Sequence, residues 1–364
     1  MQKLNLMLKI LRKAPTSTWS WSTWSYHKRH LSKSRRTEIN KPIDLLDDTS
    51  SQEIYCNHNT KKESIKTSQT ADLILQNIVF ENDAIVAVNK PLGISAFGKK
   101  SVLNCSNTES NLESIQQCLP LLSERLKCPG LGIGLSLKSY HQGLLLLCKD
   151  KKMKTKLDDC LTQMAIERCQ FLTYLAVTVG IPTCPPNTPT EIYIQREYLH
   201  DREISVVTSQ GSVTARKKGL MILSKFTVKP LMVNTDLNVA LLEISINKDK
   251  WDAVESILSY YLSPILGDDI YSSRVYTING IPFASSPYVT KPKLQELPSS
   301  VVNVLTESGL LTQEKRLPLF LHRHNVMVNR FPNSKSPPLV ITSKPHDYFL
   351  QVLQSLGLYN ANIM

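Results

Sequence analysis

Short apolar runs and amphipathic repeats alternate along the chain from about residue 75 to its end. Residues 144–147 are four consecutive leucines that end at the charged segment 149–152, a pattern typical of a strand buried on both faces. Further β-rich and apolar runs predict strands at residues 78–80, 85–88, 171–180, 226–229, 239–246 and 339–342. Apolar residues spaced three and four apart predict helices over residues 111–127, 157–165, 254–262 and 346–356. The pattern therefore predicts a globular domain that contains both strands and helices.

The N-terminal region differs in composition from the rest of the chain. The formal net charge is +12, but residues 1–36 hold nine basic residues and no acid, so the remainder carries only +3. Leu4, Leu8 and Leu11 share one face of a possible helix. A basic, acid-free and amphipathic start is typical of a mitochondrial transit peptide, which we expect over residues 1–40. The alternative is a disordered basic arm that holds RNA.

The remaining composition is that of a soluble protein with one folded domain. Residues 41–74 are polar and low in aromatic residues, which predicts a linker without fixed structure ahead of a domain over residues 75–364. No apolar run approaches the roughly 18 to 20 residues that span a bilayer. The eight cysteines form no C-x-x-C pair, which indicates buried thiols in a reducing compartment. Neither a metal centre nor a cofactor is predicted.

Several stretches of the chain resemble one known family. They are GLLLLCKD at residues 143–150, NKPLG at 89–93, TYLAVTVGIP at 173–182, PILGDDIY at 264–271 and LPLFLHRH at 317–324. In these stretches the chain resembles the RluA family of RNA pseudouridine synthases, and in detail its mitochondrial members. The resemblance covers residues 75–358. It implies an α/β pseudouridine synthase fold, with a mixed, largely antiparallel central sheet flanked by helices around an RNA-binding cleft.

The resemblance fails at the position of the family's nucleophile. The family signature reads H-R-L-D-x-x-T-S-G-L-L-L-L-A-K-D, and counting back from Gly143 places its catalytic Asp at Lys138. In the family, this carboxylate acts at the ribose carbon of a flipped-out uridine, where its charge stabilises the cation that develops on the sugar. A lysine with a pKa near ~10.4 is charged at pH 7 and opposes that cation. The sequence therefore predicts degraded or lost catalysis.

Other positions of the family site are also altered. The family's active-site tyrosine falls on Tyr174, and counting back from Pro264 places the basic residue after its T-G at Lys250 and its second Arg at Glu255. In the family that Arg pairs with the catalytic Asp. Lys138 and Glu255 therefore suggest an inverted ion pair, with the two side chains within roughly 4 Å of each other. Independent drift at the two positions is the alternative.

Basic residues near the expected cleft are candidates for contacts with RNA phosphates. They are Lys138, Lys149, Lys151, Arg216, Lys217 and Lys218. A solvated surface without an RNA role is the alternative for the lysines at residues 151–156 and for the loop at residues 216–219.

Three functions are consistent with the sequence. The first is an RNA-binding pseudoenzyme of the mitochondrial matrix, whose partners are mitochondrial mRNA or rRNA and proteins of mitochondrial ribonucleoproteins. The second is an active mitochondrial pseudouridine synthase that uses a displaced acid, with Asp150 and Asp252 as candidates. The third is a protein-interaction module built on an inactive synthase fold. A basic stripe along the cleft would favour RNA, and its absence would favour a protein partner.

Overall fold

The computed structural model describes residues 66–98, 113–199, 202–288, 293–312 and 317–361. The main element within these ranges is an eleven-stranded sheet. Its strands are β1 (Ile78–Glu81), β2 (Ile85–Lys90), β3 (Gly132–Leu135), β4 (Gln142–Cys148), β5 (Leu172–Val179), β6 (Thr190–Leu199), β7 (Arg202–Thr208), β8 (Met221–Asn234), β9 (Val239–Ile246), β12 (Leu321–Val328) and β13 (Leu339–Thr342). A separate hairpin pairs β10 (Val275–Ile278) with β11 (Ile281–Ala284).

The strand order is β1-β2-β4-β12-β5-β9-β8-β6-β7, with β3 paired to β4 and β13 paired to β12. These neighbours are antiparallel except for β4 and β12, which run parallel. The expected mixed, largely antiparallel sheet is therefore confirmed. The β6–β7 hairpin, which extends the sheet at one edge, was not predicted from the sequence.

The helices are α1 (residues 66–76), α2 (Ile115–Arg125), α3 (Lys151–Ile166), α4 (Val213–Lys217), α5 (Ala253–Tyr260), α6 (Ser299–Glu307) and α7 (Asp347–Ser355). Helix α2 begins at Ser114 in a capping box with Gln117, and the Asp150 side chain caps α3 by accepting a hydrogen bond from the Met153 backbone N–H. Within the described ranges, every helix is too short or too polar to cross a membrane.

Helical structure is present ahead of the expected boundary at residue 75. Helix α1 already covers residues 66–76, and its Ala71 and Ile74 are buried against the smaller of two hydrophobic clusters. These two apolar residues pack the helix against the cluster. The expectation of a linker without fixed structure is therefore wrong for residues 66–74. The expected transit peptide at residues 1–40 lies outside the described residues.

Strand β4 is buried on both of its faces, as predicted. Leu144 and Leu146 pack into the larger hydrophobic cluster, whereas Leu145 and Leu147 pack into the smaller one. Successive side chains of a strand point to opposite faces, so a continuous leucine run fits a strand that has a core on each side.

Gly143 allows β4 to approach β12 at the start of this strand. Its φ is 109°, and a Cβ atom there would overlap the backbone of Arg323, its register partner in β12. Any other residue type would push the two strands apart. Glycine thus brings the loop that precedes β4 next to Arg323, around which the polar cluster described below is built.

Candidate functional site

A polar cluster forms where β12 lies between β4 and β5. Arg323 of β12 is the register partner of both Gly143 in β4 and Tyr174 in β5. The loop at residues 136–141 enters β4 beside it, and the segment at residues 247–252 connects β9 to α5. The cluster contains three groups of contacts, each of which joins residues that are far apart in the sequence.

The first group joins Asp249, Arg323 and Tyr174. The Tyr174 hydroxyl donates a short hydrogen bond to Asp249 Oδ2 and accepts one of 2.9 Å from Arg323 Nε. Arg323 Nη2 lies 3.4 Å from Asp249 Oδ2, and the side chains of both residues are only 4% exposed. Arg323 Nη1 also donates to the backbone carbonyls of Ser136 and Leu144. We call these three residues the Asp249 group.

Electrostatics keep the Asp249 carboxylate ionised and the tyrosine neutral. Burial by itself would raise the pKa of Asp249, but the charges of Lys138 and Arg323 and the hydrogen bond from Tyr174 hold that pKa below its usual value. Burial raises the pKa of Tyr174 well above its usual value. One carboxylate oxygen, Asp249 Oδ1, is buried and has no hydrogen-bond partner in the part of the chain that the structure describes. The group thus combines an ionised carboxylate, an arginine and a protonated phenol.

The second group is centred on Lys138, at the position of the family's catalytic Asp. Its Nζ is bound to Asp252 Oδ1, which also accepts a 2.8 Å hydrogen bond from the Tyr140 hydroxyl. The Tyr271 hydroxyl donates to the other carboxylate oxygen of Asp252 at 2.8 Å. The Lys138 side chain is 33% exposed and that of Asp252 is 20% exposed, so this group faces solvent more than the Asp249 group does.

The lysine in this group is charged. Burial alone would lower the pKa of Lys138, but the carboxylates of Asp252, Glu255 and Asp249 raise it above its usual value. Burial would likewise raise the pKa of Asp252. The charge of Lys138 and the hydrogen bonds that the Asp252 carboxylate accepts nevertheless hold that pKa at about 2. Because the ammonium carries no lone pair and is already paired, Lys138 is not a nucleophile.

The third group is a buried pair between His141 and Glu255. His141 Nε2 lies 2.6 Å from Glu255 Oε1, and the two side chains are 1% and 2% exposed. His141 Nδ1 and Glu255 Oε2 have no hydrogen-bond partner among the described residues. Glu255 occupies the position of the family's second Arg, and it is buried in the first turn of α5.

The predicted direct ion pair between Lys138 and Glu255 is therefore wrong. Lys138 is paired with Asp252 and Glu255 with His141, so the opposite charges are distributed over two pairs that each include a neighbouring residue. Reversing Lys138 to Asp would place a like charge next to Asp252. The signs of charge at the two positions are exchanged relative to the family pair, but the contacts are new ones.

A strained turn delivers both aspartates to the cluster. Trp251 and Asp252 have φ values of 59° and 54°, a left-handed conformation that is unusual for a bulky side chain such as tryptophan. Asp252 occupies the N-cap position of α5 but makes no side-chain cap hydrogen bond, since its carboxylate binds Lys138 and two tyrosines. Lys250, predicted as a site residue, instead lies with its Nζ 4.8 Å from the centre of the Trp251 ring.

The other candidate RNA-binding residues lie outside the three groups. Lys149 is paired with Glu81 at 2.6 Å, and Lys151 is exposed in the first turn of α3. Arg216, Lys217 and Lys218 are exposed at the end of α4. Their role in RNA binding stays a prediction. Asp150, one of the two displaced acids considered, is used as the cap of α3.

Lys90 links the NKPLG segment to the cluster and makes stability depend on pH. It is fully buried, and its Nζ donates to the backbone carbonyls of Pro91 at 2.9 Å and Ser139 at 3.5 Å. Burial, and then the charge of Arg323, lower the pKa of Lys90 to about 7. The unfolded chain keeps a lysine pKa of about 10.4, so it binds more protons than the folded chain between these values.

We therefore expect the free energy of unfolding to rise from pH 7 towards pH 10, with a Lys90 contribution on the order of 1 kcal/mol per pH unit. Urea unfolding at pH 7, 8 and 9 measures this rise, and Lys90→Met should remove it. Lys335 is exposed, so Lys335→Met should keep the wild-type slope. Equal slopes for wild type and Lys90→Met would contradict the expectation.

Comparison with known proteins identifies the fold first. No family model matches the sequence. The solved structure of human RNA Pseudouridylate Synthase Domain Containing 4 is similar, with a TM-score of 0.58 and 20% identity, over 81% of this chain and 98% of that one. The sheet and the helices around it therefore have the pseudouridine synthase fold.

Curated relatives are similar over most of the sequence. Mitochondrial mRNA pseudouridine synthase RPUSD3 of Bos taurus is 27% identical over 299 residues, which cover 80% of this chain and 80% of the relative. The protein of the same name in Mus musculus is 26% identical, with 82% of each chain covered. The chain is thus similar, over about 80% of its length, to mitochondrial pseudouridine synthases of the RluA type.

Sequence reasoning placed Lys138, Tyr174 and Glu255 in the cluster, and the structure brings all three there. It missed the roles of Arg323 and Asp249. A signal for Arg323 was present, because a charged residue within the apolar strand-like segment at residues 317–324 requires a buried partner. Nothing in the local sequence connects Asp249 to Tyr174.

Proposed function

We propose that this protein binds RNA in mitochondria and has lost the isomerase reaction that the family carries out with its signature Asp. The observation that carries the proposal is the state of Lys138. Its ammonium is protonated and bound to Asp252, so the family's nucleophile position holds a paired cation. A cation there opposes the positive charge that develops on the ribose when the glycosidic bond breaks.

Positive charge beside the cluster supports RNA as the partner. The pKa of Lys248 is lowered by burial and then by the charges of Lys250, Arg216 and Arg168, so several basic side chains share this region. A basic surface was expected for an RNA partner, so this basic region beside the cluster favours RNA over a protein partner. The names of the relatives, which are RNA pseudouridine synthases, agree with this partner.

Two observations support mitochondria as the compartment in which this protein acts. The relatives are named as mitochondrial proteins. Residues 1–40 have the composition of a transit peptide, which would direct the chain to the matrix and its mRNA, rRNA and ribonucleoproteins.

A second candidate function, an active synthase, is favoured by the Asp249 group. In this group an ionised carboxylate contacts an arginine and the tyrosine that occupies the family's active-site position. Asp249 is therefore a better candidate for a displaced acid than Asp150, which caps α3, or Asp252, which is paired with Lys138. Its side chain is 4% exposed, so a flipped uridine reaches it only if the side chains that cover it move aside.

One experiment tests the proposal and separates it from this second candidate. Purified full-length protein is mixed with uridine-containing single-stranded RNA, and both binding and pseudouridine are measured. We expect binding without pseudouridine. In cells, full-length protein should cross-link to mitochondrial RNA and a variant that lacks residues 1–40 should not, while pseudouridine in mitochondrial RNA stays unchanged when the protein is removed.

Pseudouridine formed by the wild-type protein would overturn the proposed loss of catalysis. If Asp249→Asn then abolished it while Asp252→Asn did not, the Asp249 group would be the active site. Failure of the purified protein to bind RNA would exclude both candidates and favour the protein-interaction module.

A further inference from the structure

A row of cations and aromatic rings begins at the strained turn of the cluster and continues along β6. Lys250 Nζ lies 4.8 Å from the centre of the Trp251 ring, and Arg196 Cζ lies 5.6 Å from the centre of that same ring. Arg196 Cζ also lies 5.4 Å from the centre of the Tyr198 ring. We call these four residues the cation–aromatic row. Its inner end is the turn that carries Asp249 and Asp252, and its outer end is exposed.

The outer end offers a ring that is available for stacking. The Tyr198 side chain is 64% exposed, the largest exposed aromatic fraction among the described residues. Its hydroxyl donates to Glu203 at 3.4 Å, and Arg196 lies over one face of the ring, so a base would stack on the other face. Stacking of a nucleobase on such an exposed ring is favourable and tolerates any base.

The row also supplies positive charge. Lys250 has no ion-pair partner within the described ranges, and Arg196 is paired with Glu203 at a distance of 3.5 Å. Arg216 and Arg168 add further positive charge near Lys248, two residues before Lys250. Lys250 is therefore the cation of the row that is free to contact a phosphate, whereas Arg196 is partly neutralised.

We propose that the cation–aromatic row binds the nucleotides that flank the cleft in single-stranded RNA. A base stacks on Tyr198, Lys250 contacts a phosphate, and Trp251 with Arg196 fixes the spacing between the two. This assignment rests on the proposed RNA binding and deepens it, because it names single-stranded RNA as the class of ligand. In a duplex the bases are stacked on each other, so their faces are not available to Tyr198.

Fluorescence anisotropy with the full-length protein tests the assignment. The probes are a labelled single-stranded 12-nucleotide oligouridine and a 12-base-pair RNA duplex. Tyr198→Ala should weaken binding of the single strand about 5- to 150-fold, the range for losing one stacked base, and should change duplex binding less than about 2-fold. Tyr198→Phe keeps the ring and should bind the single strand as the wild type does.

Lys250→Gln tests the phosphate contact. It should lower the slope of log affinity against log salt concentration by about 0.7, the value for one phosphate of a single strand. Tyr359→Ala and Lys335→Gln are matched controls, since Tyr359 is 39% exposed beyond α7 and Lys335 is exposed in a different loop. Both controls should bind as the wild type does.

The outcomes separate the row from the proposed function. If the wild type binds the single strand and Tyr198→Ala binds it equally well, the row is wrong and RNA binding stands. If Tyr198→Ala weakens single-strand and duplex binding equally, stacking is excluded. If the wild type binds neither probe, the proposed function itself fails.

Discussion

Replacing His141 with leucine is expected to lower the free energy of unfolding by about 3–5 kcal/mol. Glu255 is 2% exposed, and its hydrogen bond to His141 Nε2 is the contact that satisfies one of its oxygens. The other oxygen already has no partner among the described residues. Leucine at position 141 would leave a buried carboxylate without a partner, and the desolvation of such a group is not repaid by new contacts. Urea unfolding of both proteins at pH 7 measures the loss.

The double variant His141→Leu with Glu255→Leu is the control. Replacing both members of a buried pair with apolar residues of similar volume is often nearly neutral, so most of the lost stability should return. A loss below about 1 kcal/mol in the single variant would contradict the expectation. So would a double variant that is no more stable than His141→Leu, because the cost would then come from packing and not from the orphaned carboxylate.

The strands of the central sheet could be predicted because their signal is local. A leucine run such as residues 144–147 has to be buried on both faces wherever its neighbours come from, and β4 fulfils this. The same holds for β9, where the predicted range of residues 239–246 agrees with the structure. The β6–β7 hairpin carries polar residues such as Arg196 and Glu203 among its apolar ones, so its pattern is weak.

The positions in the cluster could be predicted, but the partners could not. Counting along the family's motifs placed Lys138 and Glu255 near each other, because motif spacing follows the fold. Which carboxylate pairs with the Lys138 ammonium depends on side-chain reach across the cluster. Asp252 reaches Lys138 because the left-handed turn at residues 251–252 directs the Asp252 side chain towards the lysine. Backbone conformation at such a turn has no signature in composition or periodicity.

Arg323 shows why the Asp249 group could not be predicted from the sequence. It contacts Tyr174 and Asp249, which precede it by 149 and 74 residues. The contact with Tyr174 depends on the antiparallel pairing of β5 with β12, in which Arg323 and Tyr174 are register partners. An arginine in an apolar strand indicates a buried partner, but only the sheet order determines which one.

Replacing Asp249 with alanine is expected to cost about 3–5 kcal/mol of stability. Arg323 is 4% exposed, and without Asp249 its remaining partners are neutral, namely the Tyr174 hydroxyl and two backbone carbonyls. A buried guanidinium would then lack the carboxylate that balances it. Asp150→Ala is the matched control, since this aspartate only caps α3 and the loss of an N-cap costs about 1 kcal/mol.

The difference between wild type and Asp249→Ala should also depend on pH in a defined direction. The pKa of Asp249 is lower in the folded protein than in the unfolded chain, so its ionised form stabilises the fold. This contribution is complete above the unfolded pKa of about 3.9 and is lost as the pH falls below it towards the folded pKa. Unfolding by urea at pH 7, 5 and 3.5 should therefore give a constant difference at the first two values and a smaller one at the third. A difference below about 1 kcal/mol at pH 7 would mean that the tyrosine and the two carbonyls suffice for Arg323. Asp249 would then be a tolerated acid and not the counter-charge that holds Arg323 and Tyr174 in place.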